Sequence, residues 1–363
     1  MGLGAGVVIL HAPDAAAVQG VTRYSNDLAA ALADAGEPVR RLRLKPWELR
    51  LGKRRVGGFV SMRLQGAFRP WPKRDVLHST FHVVAHPRCD VATVHDLFPQ
   101  THAGLLGISP TEARALDRGL AKLAARKVHL ACVSSAVRDA VAARVRVPDE
   151  RLHAIPSGVS GRFQPAAPDA PLHPAYADRD AVHVLCVADL NPRKPFDQLL
   201  EAAARVGDPR LRIVHAGPAR VRRPAWAAQR EREAAWEAKL GGRVRRLGAV
   251  GDDELLRLYQ GADLFVLPTV DEGFGFPPLE ALACGTPVAV SDIPVFRETL
   301  GDQARRFADA DGLARVLEAA LRAPRPAAAQ RQAAHGWVRQ RFSWRRTAEA
   351  FRGLYGEARG RRV

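Results

Sequence analysis

The sequence has few of the features that mark secreted or membrane-spanning proteins. Its four cysteines, Cys89, Cys132, Cys186 and Cys284, lie far apart and form no Cys-x-x-Cys pair. That spacing argues against a disulfide framework or a zinc site and is typical of reduced, buried thiols in a cytosolic protein. No stretch approaches the roughly 18 consecutive apolar residues of a membrane span. Residues 1–10 have no basic flank, so no signal peptide is expected there.

Acidic residues are also in deficit. The chain has 38 Asp and Glu against 55 Lys and Arg, a net charge of +17. This imbalance predicts a surface that attracts nucleic acid, acidic lipid or a phosphorylated substrate. A generally basic, solvated surface without a specific partner fits the charge equally well. Because no nucleic-acid-binding motif is present, nucleic acid is not expected as a partner.

Short apolar runs alternate with longer segments of helical periodicity in both halves of the chain. Residues 6–10 and 182–188 are typical of buried strands, and each precedes a helical pattern, at 21–35 and 195–206. Repeated strand–helix units predict parallel sheets, and two such series predict two doubly wound α/β domains. Proline-rich residues 163–174 are the predicted join. We therefore predict domains over residues 1–168 and 169–342, and a last helix over 343–363 that returns to the first domain.

Residues 271–280, Asp-Glu-Gly-Phe-Gly-Phe-Pro-Pro-Leu-Glu, follow an apolar strand and open a helix. Gly273 and Gly275, on either side of Phe274, allow the backbone to come close to a ligand. The start of the helix favours a phosphate. Glu272 lies just past the strand, where ligands of α/β proteins bind, and the carboxylate of Glu280 can accept hydrogen bonds from two ribose hydroxyls.

A second segment, Asn191-Pro-Arg-Lys194, also follows a predicted strand. Its cations, Arg193 and Lys194, stand at a helix start, where the helix dipole disfavours them. That placement indicates an anionic ligand, and a lysine there can neutralise a leaving nucleoside diphosphate.

Two further segments lie in the first half. Gly20, in Gln19-Gly-Val-Thr-Arg-Tyr24, precedes the first long helical pattern and would let a phosphate approach the helix start. His95 and Asp96, in Val94-His-Asp-Leu-Phe-Pro99, end a short apolar strand and are expected to face a cleft.

Together these segments resemble the retaining family-4 glycosyltransferases, which have the GT-B fold. The stretch from Glu272 to Glu280 looks like their E-x₇-E motif, and the other three segments are similar to their Pro-Arg-Lys, Gly-Gly-x-x-Arg-Tyr and His-Asp motifs. The resemblance implies two Rossmann-like domains facing a cleft, with the acceptor on the N-terminal side and the nucleotide sugar on the C-terminal side.

The resemblance also implies roles for single residues. Glu272 would contact the transferred sugar, Glu280 the nucleotide ribose and Lys194 the diphosphate, assisted by Arg193. His95, with Asp96 beside it, would contact the sugar and acceptor. The implied reaction is a metal-independent, retaining transfer of a hexose from a nucleotide sugar to a glycan or lipid-linked acceptor in polysaccharide or glycolipid biosynthesis. Beyond the nucleotide-sugar substrate no cofactor is expected. The motifs look most like mannosyltransferases, so GDP-mannose is the first expected donor and a UDP-sugar the second.

Residues 40–69 combine many cations with interspersed aromatic and aliphatic residues. The cations include Arg50, Lys53, Arg54 and Arg55; the apolar residues include Trp47, Leu49, Leu51, Phe59 and Phe68. This composition suits docking on an anionic membrane surface, which would make a cytoplasmic protein peripheral on the inner face of the membrane. A strand containing Val39, Leu42 and Leu44, followed by a solvated basic helix, is the alternative.

Two other functions compete with a transferase. A GT-B sugar-nucleotide epimerase would share the fold and the donor site, although the His-Asp and Pro-Arg-Lys segments fit transferases better. A non-catalytic basic protein that binds nucleic acid or membrane would explain the charge but would leave Glu272 and Glu280 without a purpose.

Overall fold

A computed structural model describes residues 6–11, 19–43, 48–51, 54–57, 75–86, 88–218 and 226–360. Its contacts divide the chain into two compact units. The first comprises Met1–Gln100, Pro110–Gly158 and Phe342–Val363, and the second comprises Thr101–Ser109 and Val159–Arg341. Each unit is built on its own parallel sheet.

The described elements alternate strand and helix through most of the chain. The strands are β1 (Val7–His11), β2 (Val39–Arg43), β3 (Glu48–Leu51), β4 (Arg54–Gly57), β5 (Val76–Ser79), β6 (Val91–Val94), β7 (His129–Cys132), β8 (Leu152–Ala154), β9 (Val182–Val187), β10 (Leu211–Ala216), β11 (Val244–Gly248), β12 (Leu264–Leu267), β13 (Val288–Ser291) and β14 (Ala304–Phe307). The α-helices are α1 (Gln19–Asp34), α2 (Phe98–Thr101), α3 (Pro110–Ala125), α4 (Ser135–Arg144), α5 (Phe196–Val206), α6 (Ala227–Leu240), α7 (Asp252–Gly261), α8 (Phe276–Ala283), α9 (Pro294–Thr299), α10 (Ala310–Arg322), α11 (Ala328–Arg341) and α12 (Trp344–Gly360).

The sheet of the first unit has the strand order β2-β1-β5-β6-β7-β8, and every pair is parallel. Its central strands β1, β5, β6 and β7 are buried, as expected of a parallel sheet covered on both faces, whereas the edge strand β2 carries three arginines and is not buried. Helix α1 buries Tyr24, Leu28 and Leu32, the face that its sequence periodicity predicted. The last helix, α12, packs against α1 within this unit and buries Phe351 and Tyr355.

The sheet of the second unit has the order β11-β10-β9-β12-β13-β14. Counted along the unit, this is the order 3-2-1-4-5-6 of a doubly wound sheet, whose direction of winding reverses between β9 and β12. These two strands pair in parallel at Val184 with Leu264 and at Leu185 with Phe265. The loops that leave their carboxyl ends therefore meet where such folds bind ligands.

The proline-rich stretch 163–174 packs with the second unit, and the units divide before Val159 rather than at the predicted residue 168. Arg162 pairs with two aspartates at the start of α7, each at 2.7 Å. The hydroxyl of Tyr176 donates to the carbonyl of Leu258 at 2.9 Å. These contacts flank the stretch, and Phe163 at its first position is 1% exposed, so the stretch belongs to the second unit.

The basic segment 40–69 is described only in part. Within it, β2 forms as the alternative interpretation predicted. Residues 48–51 and 54–57 form an antiparallel pair, β3 and β4, so the predicted basic helix is wrong for these residues. Three of the predicted cations, Arg50, Arg54 and Arg55, lie in these two strands. Lys53 and the aromatic residues Trp47, Phe59 and Phe68 lie outside the described residues.

Two features bear on the class of protein. All four cysteines are buried and free, and burial raises the pKa of Cys89, Cys132 and Cys186 to about 12. In the part of the chain that the structure describes, no helix has both the length and the apolar composition required to cross a bilayer.

Candidate functional site

Two loops meet at the point where the winding of the second sheet reverses. One leaves β9 and leads to α5; the other leaves β12 and leads to α8. The amide of Val270 donates to the carbonyl of Arg193 at 2.8 Å. The hydroxyl of Thr269 lies 3.2 Å from the same oxygen and 2.9 Å from the carbonyl of Asp271, so it bridges the two loops. These hydrogen bonds join the two predicted donor motifs, which are far apart in sequence.

Glu272 lies between the two cations of the other loop. Its Oε2 accepts a hydrogen bond from a guanidinium nitrogen of Arg193 at 3.2 Å, and its Oε1 contacts the ammonium of Lys194. The side chains of Glu272 and Lys194 are each 9% exposed. Burial alone would raise the pKa of Glu272, but the charges of Arg193 and Lys194 outweigh burial and lower it. The carboxylate is therefore ionised at neutral pH, with two cations against it.

The backbone around Lys194 is held from two directions. The side chain of Asn191 accepts a hydrogen bond from the amide of Arg193 at 3.0 Å, and the carbonyl of Asn191 accepts one from the amide of Lys194 at 2.7 Å. The side-chain amide of Gln229, on α6, donates to the carbonyl of Lys194 at 3.0 Å. Gln229 was not found from the sequence, because its partner is a backbone atom and no side-chain pattern marks that contact.

The second glutamate of the motif is also positioned by a buried partner. Glu280, on α8, is 3% exposed, and the hydroxyl of Tyr259 donates to its Oε2 at 2.9 Å. Tyr259 lies on α7 and is fully buried. Tyr259 has no distinguishing signal in the sequence, because an aromatic residue at a helical core position ordinarily contributes packing alone.

Glycine is required at one position of the loop between the two glutamates. Gly275 has a φ of 87°, and a Cβ there would lie 2.5 Å from the ring of Phe296. Gly275 immediately precedes α8 and, having no side chain, does not cap the first turn of that helix. Gly273 is buried, and Phe274 is 3% exposed with its ring 5.1 Å from that of Phe276. This tight loop sets the direction in which α8 begins, while Phe274 contributes packing.

His95 and Asp96 follow β6 in the first unit. The Nε2 of His95 lies 2.8 Å from the carbonyl of Thr80. Because a carbonyl can only accept, Nε2 carries the proton and Nδ1 has the lone pair in the neutral ring. Burial lowers the pKa of His95, although the bond to Thr80 and the charge of Asp96 act in the opposite direction. One oxygen of Asp96 accepts a hydrogen bond from the amide of Phe98 at 3.2 Å, which caps the short helix α2.

A buried polar network supports His95 from behind. The ring of Tyr24 meets that of His95 edge-on, with centroids 4.7 Å apart, and the Tyr24 hydroxyl lies 3.4 Å from that of Thr93. His78 joins Thr93, at 2.8 Å from Nε2, to Tyr355 of α12, at 2.7 Å from Nδ1. Burial lowers the pKa of His78 to about 3, so the ring is neutral. The network ties α12 to the strand that ends at His95, and no sequence motif indicated it.

Gly20 lies in the first turn of α1 and is exposed. A Cβ at this position would meet no atom within 4 Å. The protein's own packing therefore does not demand glycine here, and the predicted approach of a phosphate stays a prediction.

Comparison with known proteins identifies the class to which this fold and site belong. Residues 176–337 match the family model described as glycosyl transferases group 1. That range includes the loop of Arg193 and Lys194, both glutamates of the motif and the helix of Tyr259. The match lies within the second unit, so this unit resembles the glycosyl transferases group 1 family.

Relatives with assigned activities agree with that family. The chain is 29% identical over 288 residues to D-inositol 3-phosphate glycosyltransferase of Saccharomonospora viridis, covering 74% of this chain and 64% of that protein. It is 52% identical over 64 residues to the O-antigen chain mannosyltransferase RfbU of Salmonella typhimurium, 18% of each chain. The chain thus spans less than two thirds of the length of these relatives.

Solved structures extend the likeness to nearly the whole chain. The crystal structure of HepE from Anabaena in complex with UDP-glucose matches with a TM-score of 0.71, covering 97% of this chain and 100% of that one, at 16% identity. At that identity the likeness concerns the fold alone. The predicted fold, GT-B with two Rossmann-like domains, is confirmed.

Proposed function

We propose that the protein is a retaining glycosyltransferase that moves a hexose from a nucleotide diphosphate sugar to a glycan or lipid-linked acceptor. The observation that carries this proposal is the buried cluster of Arg193, Lys194 and Glu272 at the reversal point of the second sheet. Two cations placed against one carboxylate leave positive charge for a further anion. A diphosphate with a sugar attached satisfies both parts of the cluster.

In the proposed donor complex, Lys194 and Arg193 contact the diphosphate, and Glu272 contacts the transferred sugar. Glu280 accepts hydrogen bonds from the ribose hydroxyls, held in place by Tyr259. Gly273, Phe274 and Gly275 line the approach to α8, and Gly20 admits a phosphate at the start of α1. The cationic side chains stabilise the charge that develops on the leaving diphosphate, which is the task a divalent cation performs in other transferases.

For the transfer itself, we propose that the acceptor oxygen bonds to the anomeric carbon from the face that the diphosphate leaves. The bond from that carbon to the phosphate oxygen breaks, and the acceptor proton passes to the departing phosphate. His95 and Asp96 serve the acceptor and the sugar. Because Nε2 of His95 is committed to Thr80, its Nδ1 is the atom available to accept a hydrogen bond.

The donor sugar is the finer part of the proposal. Mannose from GDP-mannose is the first candidate, supported by the short, 52% identical match to an O-antigen chain mannosyltransferase. A UDP-sugar is the second, supported by the overall likeness to a protein solved with UDP-glucose. We place the reaction in polysaccharide or glycolipid biosynthesis at the cytoplasmic face of a membrane, with the basic segment 40–69 as the candidate membrane contact.

A thermal-shift panel tests the donor site. GDP-mannose, UDP-glucose, UDP-N-acetylglucosamine, GDP and UDP are added separately to wild type, Glu280→Gln and the control Glu318→Gln, which removes a carboxylate 48% exposed on α10. One nucleotide class should raise the Tm of wild type and of the control, because a ligand that binds only the folded state stabilises it. Glu280→Gln should weaken that shift. No shift with any nucleotide would contradict the proposal.

Product analysis then tests the chemistry. Release of nucleoside diphosphate should depend on added acceptor, and NMR of the product should show the anomeric configuration of the donor. Interconversion of free sugar nucleotides without acceptor would identify an epimerase. Salt-sensitive binding to anionic vesicles or nucleic acid, together with no response to any sugar nucleotide, would identify a non-catalytic basic protein.

A further inference from the structure

Two histidines meet in the first unit, on adjacent parallel strands. His129 is the first residue of β7, and His153 is the middle residue of β8, where it pairs with Ala131. Side chains two residues apart on a strand share a face of the sheet, so both imidazoles point to the same side. Nδ1 of His129 lies 3.0 Å from Nε2 of His153. His129 is 1% exposed and His153 is half-buried.

A carboxylate from the last helix completes the cluster. An oxygen of Glu357, on α12, and one ring nitrogen of each histidine all lie within 4.8 Å of one another. The side chain of Glu357 is exposed. Although the chain has 55 lysines and arginines, Glu357 forms no ion pair with any of them in the part of the chain that is described. Its carboxylate lies beside the two imidazoles instead.

We propose that His129, His153 and Glu357 form a binding site for a divalent transition metal, with zinc as the best match. Two imidazole nitrogens and one carboxylate are a recognised zinc ligand set, with bonds of about 2.0–2.2 Å. Ligand atoms around such a tetrahedral ion are separated by roughly 3.3–3.5 Å. The two imidazoles are already close to that separation. The exposed Glu357 can close the remaining distance by a change of rotamer, which leaves one coordination position open to water.

The ligands come from three elements of different sequence regions: β7, the edge strand β8 and the last helix α12. A bound ion would link the edge of the sheet to α12, which also carries Tyr355 of the buried polar network. Since a metal that binds only the folded state adds its binding free energy to stability, the site would secure α12 on the first unit. This role is independent of the proposed transfer reaction.

The test uses the full chain with any affinity tag removed, stripped of metal with a chelator and dialysed. Zinc binding is measured by calorimetry and by competition with a chromogenic chelator, in wild type, His153→Gln, Glu357→Gln and the control His335→Gln. His335 is a half-buried histidine of the second unit that hydrogen-bonds a backbone carbonyl. Glu357→Gln replaces an exposed side chain, so this variant retains the fold.

Wild type and the control should bind one zinc ion per chain, with a rise in Tm on addition of the ion. Each ligand variant should lose affinity by roughly 10- to 100-fold or more, judged against the effect of changing even outer-shell partners. Cobalt(II) should give the visible d–d bands of a four-coordinate ion without thiolate charge transfer. Absence of stoichiometric binding to wild type, wild-type affinity in both ligand variants, or a thiolate spectrum that assigns the ion to the cysteines would overturn the proposal.

Discussion

The contact between Lys194 and Glu272 can be tested by a double-mutant cycle with Lys194→Met, Glu272→Gln and the combined variant. Methionine approximates the length of lysine without its charge, and glutamine keeps the shape of glutamate. Both side chains are 9% exposed, so each single variant leaves charge in a buried place. Removing one partner of a buried ion pair costs about 3–5 kcal/mol.

The structure narrows that range. In Lys194→Met, Glu272 keeps the hydrogen bond from Arg193 at 3.2 Å, so the loss should fall near ~3 kcal/mol, the lower end for a broken buried pair. The double variant removes the charges of both Lys194 and Glu272. The decrease in its free energy of unfolding should therefore be smaller than the sum of the two single decreases, with a coupling free energy of about 2 kcal/mol.

Calorimetry without nucleotide is the assay, and the transition of the second unit is followed, because a chain of two units need not unfold in one step. The pH supplies a second readout. Glu272 has a lowered pKa in the folded protein, so its stabilising effect is present above its ordinary pKa of 4.5 and is lost as the pH falls through the folded value. The stability difference between wild type and Glu272→Gln should shrink in that acidic range. Additive losses, or a difference independent of pH, would refute the assigned ion pair.

Three further predictions concern the site. Tyr259→Phe removes the hydrogen bond to Glu280, so we expect nucleotide binding to weaken by about 1.5–3 kcal/mol in isothermal titration calorimetry. Unchanged affinity would contradict a positioning role for Tyr259. Gly275→Ala should lower the free energy of unfolding by about 1–3 kcal/mol, because Gly275 has a positive φ. Gly20→Ala should leave the free energy of unfolding unchanged or raise it by up to ~1 kcal/mol. Equal Tm values for the two variants would contradict this difference. Because the pKa of His95 is lowered, its ring stays neutral at and above the ordinary histidine pKa of about 6.5. The rate of turnover should therefore show no histidine titration between about pH 6.5 and 8. A titration in that range that disappears in His95→Gln would refute the neutral ring.

Much of the architecture could be predicted from local sequence patterns. The long elements were found because their periodicity is strong, as in α1 with its buried Tyr24 and Leu28. Ser134 is a residue type that commonly caps a helix, and its side chain accepts the capping hydrogen bond from the amide of Val137 at the start of α4. Two edge strands of the second sheet were not predicted: β11 and β14 each contain paired arginines and expose part of their length. An edge strand buries fewer side chains, so its apolar signal is too weak to predict.

Some residues of the candidate site could be predicted from the sequence and others could not. The residues proposed to bind the donor through their own side chains, such as Lys194, Glu272 and Glu280, stand in short motifs after strands and could be predicted from the sequence. The residues that contact them from other elements do not stand in a motif. Gln229 meets a backbone carbonyl and Tyr259 meets a carboxylate on another helix, so their significance depends on packing between elements.

The class of fold and the candidate motifs could be predicted from the sequence, because strand–helix alternation and short motifs are encoded within a few residues. Which of these groups share a site became visible only in the folded chain. It joined the loops of Arg193 and Glu272 at the reversal of the second sheet, and it brought His129 and His153 together with Glu357. Such meetings are set by strand order and helix packing, which place residues beside one another irrespective of their separation along the chain.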